Sequence, residues 1–489
     1  MSHTKLKIGW AQADITPDEP VLICGQRNAR VSEGVRDPVT ATALVFEQGD
    51  EHIVLISWDL ASASDELCGA VRRRMTAVGG PEPHRLAMFG THTHAAPHAR
   101  MSRYGQEYHP YLPEQLGVEL GDIMTPEEYV EFAAELAAEA VAEAWHNRAD
   151  GSIAFGLGQA VVGRNRRWVD IHGNTTMYGN TDTPEFSHID GYEDHSVNVL
   201  ATYDADGTLT GVIPNIACPA QETEHIFEIS ADFWHEAREE MRRRLGEGLY
   251  VLPQCSPAGD QSPHLLWGKR AHERMLELKG RTSREEIGHR IADAVEDTLR
   301  HLEATMDASP VLKHERRDVE LTMRPLTEED VNQALADAVP WREKWREELA
   351  KLEADPTLRD EPRWYTDVTS AFNRMRWYER VAERYELQQQ DPTRTVQLHF
   401  ARLGDIAIAT NPFEYYLDYG VYIKARSPAV QTFLVQLAGP TQYLPSARSI
   451  GGGGYGSVPA SNTFGPEAGR KLADTTLDAL FSFWGAQDH

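Results

Sequence analysis

The chain has 489 residues, 41% hydrophobic and 25% charged, which permits a large buried core and excludes the disordered and fibrous classes. Its 48 Lys and Arg against 75 Asp and Glu leave a formal charge of −27. Such a balance repels phosphate backbones and anionic lipid surfaces, so neither a nucleic-acid partner nor stable membrane association is expected.

The opening residues Met1-Ser2-His3-Thr4-Lys5-Leu6-Lys7 run straight into a strand-like segment without the apolar core or cleavage site of an export signal. No apolar run approaches the ~18 residues that a membrane span needs, and a cytoplasmic location is expected. Strand-like runs follow at 41–46, 52–58 and 85–89, each ending in polar or glycine-rich sequence. Thr125-Pro126-Glu127-Glu128 reads as a helix start, with Thr125 as N-cap, proline in the first helical position and Glu128 closing a capping box. That helix should reach about Trp145, with Tyr129, Phe132, Ala133, Leu136, Ala137, Ala140 and Ala144 on its apolar face.

Further along, 195–203 and 208–216 flank Asp204-Ala205-Asp206-Gly207, a turn that joins two strands into a hairpin. A short strand at 249–252 leads into 254–264, too polar and too broken by glycine and proline to be core. A second capping box is predicted at 283–286. From about 327 to 390 the sequence becomes charged, helical and rich in Trp and Tyr, with Pro340 and Pro356 predicted to separate helices. Strands return at 396–401, 406–409 and 430–436. The expected fold is therefore α/β, mixed sheets flanked by helices, in one domain over 1–489 that a helical insertion at about 327–390 interrupts. That insertion is expected to cover the pocket or join subunits of a homo-oligomer, with Trp341, Trp345, Trp364 and Trp377 as anchors.

His92 and His94 stand two apart after a strand-like run, a spacing that puts both on one face if the strand stays regular. Either could bind a metal, although the same spacing arises by chance, and His98 adds a third imidazole nearby. Asp59 ends the preceding strand and is read either as a carboxylate orienting a ligand histidine or as a strand-end cap. Cys24, Cys68, Cys218 and Cys255 are too scattered for a disulfide framework or a zinc ribbon.

The segments Gly9-Trp10-Ala11-Gln12-Ala13-Asp14-Ile15-Thr16-Pro17, Asp59-Leu60, Thr91-His92-Thr93-His94-Ala95-Ala96-Pro97 and Gly259-Asp260-Gln261-Ser262-Pro263 succeed one another in an order and spacing that resembles the catalytic domain of the neutral ceramidases. The 403–414 segment resembles the family strand that ends in a metal-binding glutamate, and Gln442-Tyr443 its metal-binding tyrosine. The resemblance implies one zinc ion held by His92, Glu414 and Tyr443, with His94 lining the site. The family has a histidine directly before a proline where this chain has Cys218-Pro219, so Cys218 is either the fourth ligand, as a thiolate, or an inert buried thiol. Ser262 falls at the family's active-site serine and Asp260 belongs to the same motif, so both are candidate catalytic residues. Arg166 matches an arginine that contacts substrate. Read without the family, Ser262 is a turn residue before Pro263 and Arg166 a surface charge beside Arg164 and Arg167. Gly451-Gly452-Gly453-Gly454-Tyr455-Gly456 lacks the Lys-Ser/Thr of a phosphate loop and is expected to bring backbone close to Tyr443.

The resemblance implies a zinc-dependent hydrolase in which water or Ser262 attacks, His94 moves a proton, and Arg166 and Ser262 position substrate or oxyanion. The chain resembles a short form, without the export signal and C-terminal immunoglobulin-like domain of secreted ceramidases. A small soluble amide is therefore expected in place of ceramide. The alternatives are a metal-dependent glycoside hydrolase acting on a soluble sugar derivative and a metal-free metabolite-binding homologue.

Overall fold

The structure, a computed structural model, describes residues 4–78, 80–103, 106, 107 and 121–485. Among the described residues, nine strands form one mixed sheet. Its order is Tyr250–Val251, Leu209–Ile216, Ser196–Asp204, Ala149–Gln159, Lys7–Asp14, Thr40–Gln48, Glu51–Trp58 and Leu86–Gly90, with Gln254–Cys255 also paired to Leu209–Ile216. A second sheet of four strands runs Leu312–Thr322, Thr393–Leu403, Ile406–Thr410, Gln431–Val435. The two sheets share a core in which Leu44, Phe46, Leu55, Phe89 and Ile213 of the first meet Leu403, Ile408 and Phe433 of the second. Helices Asp65–Val78 and Pro126–His146, and farther along Phe233–Leu245 and Ser283–Leu299, cover the outer face of the large sheet. Leu417–Arg426 and Pro466–Trp484 cover that of the small one. Strands covered on both faces lose the alternation of a half-exposed sheet, which is why Thr40–Gln48 and Glu51–Trp58 read as nearly continuous apolar runs.

The cap at Thr125 forms as its sequence requires: the hydroxyl accepts the Glu128 N–H and the Glu128 carboxylate accepts the Thr125 N–H. The second capping box uses Thr282 and Glu285, one residue earlier than expected, because Thr282 is the residue left in extended backbone before the first turn. The 327–390 segment is a hairpin of helices Glu328–Ala354 and Thr366–Gln390. Pro340 does not break the first of these. A proline inside a helix costs about 3 kcal/mol, and here Ala338 before it and Trp341 and Trp345 after it pack on Phe372 and Met375 of the second helix. Pro356 does mark a break, opening a short turn of 3₁₀ helix.

Of the two readings of Asp59, the structure supports the strand-end cap. Its fully buried carboxylate accepts both Arg238 Nη atoms, at 2.8 and 2.9 Å, and the N–H and hydroxyl of Thr40. It joins the helix Phe233–Leu245 to the end of the strand and orients no histidine. Among the described residues, no helix is long and apolar enough to cross a membrane.

Candidate functional site

The site forms where the two sheets present the carboxyl ends of parallel strand pairs, a place where α/β folds leave a crevice. Glu51–Trp58 and Leu86–Gly90 run parallel in the large sheet, and the chain leaves the second of them into His92. Ile406–Thr410 and Gln431–Val435 run parallel in the small sheet, and their continuations pair again so that Glu414 stands beside Tyr443. The carbonyl of Leu437 accepts the N–H groups of Ala63 and Gly90, tying the two strand ends together. Thus His92 and Glu414 are 322 positions apart in the chain, yet His92 Nε2 lies 3.5 Å from Glu414 Oε2.

The histidines do not reach the site through regular strand alternation. His92 lies beyond the strand in left-handed backbone, φ 70°, a conformation that is uncommon outside glycine and costs on the order of 1–3 kcal/mol. That kink brings the two rings edge to face, 4.8 Å between centroids. His92 Nδ1 donates to the Ala61 carbonyl at 2.7 Å, which turns Nε2 toward Glu414. His94 Nδ1 bonds Glu224 Oε2 at 2.9 Å. Gly25 permits this placement, since a Cβ there would lie 2.5 Å from those of His94.

Burial pushes the His94 imidazole pKa down against the opposing pull of Glu224, so the ring is neutral near pH 7. Burial would raise the Glu414 carboxyl, but His92, Arg166 and Tyr443 outweigh it and hold the group down at about 2. The Tyr443 phenol is pushed well above 10, chiefly by burial.

Arg166 lies behind this cluster. Its guanidinium donates to Tyr178 and Tyr443 hydroxyls at 2.9 and 3.2 Å and to the Gly259 carbonyl at 3.0 Å, and lies 3.8 Å from Glu414. It is buried, not the surface charge that its basic neighbours suggest. Arg167, next in sequence, is also buried; it donates to the Tyr455 and Gly453 carbonyls and so fixes the glycine-rich turn. That turn delivers Tyr455, whose ring meets Tyr443 at 5.3 Å.

A cavity of about 150 Å³ opens onto His92, His94, Glu414 and Tyr443. Its far wall comes from the helical hairpin, with Asn373, Trp377 and Arg380, and from the 24–27 loop with Arg27. Of the four tryptophans expected to anchor the insertion, Trp377 lines the cavity, while Trp341, Trp345 and Trp364 pack within or beneath the hairpin.

Four expected site residues lie away from that lining: Arg166, just described, and Ser262, Asp260 and Cys218. Ser262 is fully buried, accepting the Tyr178 O–H at 3.2 Å and the His264 N–H at 3.1 Å. The Asp260 carboxylate accepts the Leu417 N–H and the Asn165 side-chain amide, both at 3.0 Å, and burial raises its pKa to about 6. It fixes the loop that carries Arg166. Cys218 is buried in an apolar cluster with Val162, Ile216 and Phe233, its thiol directed at the Pro219 carbonyl and held well above its usual pKa by burial. A strand end followed by proline is the same sequence signal for a ligand loop and for a core corner, and only packing separates them. Glu224, Tyr178 and Arg27 were not legible as site residues; for Tyr455 only the approach of its turn to Tyr443 was. Glu224 lies in an irregular polar stretch and Arg27 between Gln26 and Asn28 just after Gly25, patterns that surface loops share.

His92, Glu414 and Tyr443 suit a metal ion. Donors bound at 2.0–2.1 Å in a tetrahedron lie about 3.4 Å apart, close to the 3.5 Å between His92 Nε2 and Glu414 Oε2. Among the described residues, no three His, Cys, Asp or Glu side chains group as ligands.

The chain matches the crystal structure of neutral ceramidase from Pseudomonas aeruginosa with a TM-score of 0.69 at 16% identity, over 98% of this chain and 74% of that one. It also matches a ceramidase complexed with C2, with a TM-score of 0.66 at 16% identity over 98% and 75%. No protein-family model and no curated protein sequence matches the chain. At this identity the match concerns the fold, which is that of the neutral ceramidases.

Proposed function

We propose that the chain is a zinc-dependent hydrolase that uses water to cleave the amide bond of a small polar substrate. The observation that carries this reading is the His92–Glu414–Tyr443 donor set at the cavity wall, with neutral His94 beside it. Bound zinc would acidify water and polarise the carbonyl. His94, with Nδ1 engaged by Glu224, has Nε2 to accept a proton from water and return it to nitrogen, so that hydroxyl joins the acyl carbon and the amine leaves. Arg166 holds Tyr443 and Glu414 in register from behind.

Water is favoured over Ser262 as nucleophile because the Ser262 hydroxyl is buried and already engaged twice. Ser262→Ala is expected to lower kcat less than tenfold and His94→Ala at least a hundredfold, on the usual scale of general-base loss. An acyl-enzyme burst lost in Ser262→Ala would reverse that assignment. Glycoside hydrolysis fits less well, since it needs one proton-bearing carboxyl of a pair, whereas Glu414, the one carboxylate among the described residues lining the cavity, is held at about 2.

The cavity is small beside the roughly 300–1,000 Å³ of pockets for drug-sized ligands and largely polar, which argues against ceramide. The test is a screen of zinc-loaded protein against soluble amides, glycosides and detergent-dispersed ceramide. Ceramide cleaved faster than every soluble amide would overturn the substrate class.

Cys218→Ser is expected to keep its zinc and lose stability, since a hydroxyl buried among apolar groups costs about 1–3 kcal/mol. Lost zinc with an unshifted melting temperature would make the sulfur a ligand after all.

A further inference from the structure

The wall opposite His92 and Glu414 is unlike the rest of this acidic protein. A chain of net charge −27 lines the cavity with Arg27, Arg100 and Arg380. The lone lining carboxylate among the described residues, Glu414, already faces His92 and Arg166. Arg27 is the most pointed element. Its guanidinium carbon stands 4.3 Å from the Trp377 ring centroid and 5.1 Å from that of Tyr455, and among the described residues it forms no ion pair or side-chain hydrogen bond. The Arg27 carbonyl accepts the Asn373 side-chain amide at 2.6 Å, which ties this loop to the helix bearing Trp377. A guanidinium laid on aromatic faces keeps its N–H edge for a ligand, and that edge matches the two oxygens of a carboxylate. Tyr455 touches both Arg27 and Tyr443, so the cationic edge and the metal-binding end belong to one cavity.

We propose that the substrate is an acid: an amide bearing a carboxylate that Arg27 binds while the amide lies against His92, Glu414 and Tyr443. This deepens the hydrolase reading and rests on it. The helical hairpin then acts as a specificity element, supplying Trp377 as the platform that orients Arg27.

The test titrates zinc-loaded full-length protein with N-acetylglycine and N-acetylglutamate, and with the neutral N-acetylglycinamide, by calorimetry. Wild type is expected to bind the better carboxylate at least tenfold more tightly than the neutral amide. Arg27→Gln should erase the difference, Arg27→Lys should restore part of it, and zinc content should be equal in all three. Equal binding of the neutral amide, no binding of either carboxylate, or a preference that survives Arg27→Gln overturns the proposal. Carboxylate binding that depends on Arg27 without cleavage of any amide would instead count against hydrolysis while leaving acid recognition standing. Cleavage of neutral amides that ignores Arg27 would do the reverse.

Discussion

Glu414→Gln is expected to strip the protein of zinc and reduce amide hydrolysis by at least about 10²–10³-fold, the scale seen when one preorganised charge-stabilising group is removed. The isosteric amide keeps the shape but surrenders the charge, and a neutral carbonyl is a poor donor to a divalent cation. Stability should fall too, for a separate reason. Glu414 lies within 3.8 Å of the buried Arg166 guanidinium, and removing the carboxylate strands that charge. Breaking a buried pair in this way costs about 3–5 kcal/mol, although the Tyr178, Tyr443 and Gly259 acceptors around Arg166 soften the loss. The two effects separate in a double variant. Glu414→Gln with Arg166→Met should recover part of the melting temperature without recovering zinc or turnover. A Glu414→Gln protein that holds zinc as wild type does and remains active would remove Glu414 from the ligand set.

Asp59→Ala should be the most damaging single change outside the site. The carboxylate has four donors, two from Arg238 and two from Thr40, and both partners of the ion pair are buried. Truncation leaves the Arg238 guanidinium uncompensated beneath the helix Phe233–Leu245, a loss of about 3–5 kcal/mol. In a chain of this size, irreversible unfolding is to be expected, so melting temperature at fixed scan rate is the appropriate readout. Asp59→Ala/Arg238→Met should be more stable than Asp59→Ala, because an apolar pair carries no buried charge. Whatever folds should bind zinc normally. A carboxylate that oriented His92 would give the opposite pattern, zinc loss with little change in melting, and that result would return Asp59 to the site.

Much of this molecule follows from local sequence. The Thr125 cap, the hairpin around Asp204–Gly207, the returning strands after 390 and the paired helices of the insertion arise from short-range rules: a side chain within three residues of its N–H partner, a turn of fixed length, an apolar period. The ordered motifs around His92, Ser262, Glu414 and Tyr443 pointed to the ceramidase fold, and the structural match bears that out. Tertiary structure decided where each of those side chains stands. His92 meets Glu414 because two different sheets end at one crevice and a left-handed kink turns the imidazole inward, neither of which a two-residue spacing encodes. Ser262, Asp260 and Cys218 share the motifs but face the interior, since a motif fixes neighbours along the chain and not the side from which a cavity opens. Arg27 and Glu224 join the site from segments with no distinctive pattern, whereas Tyr455 comes from the glycine-rich turn that the sequence placed near Tyr443. A polar loop residue gains a neighbour at the cavity only when distant packing supplies one, as the helical hairpin does in setting Trp377 under Arg27.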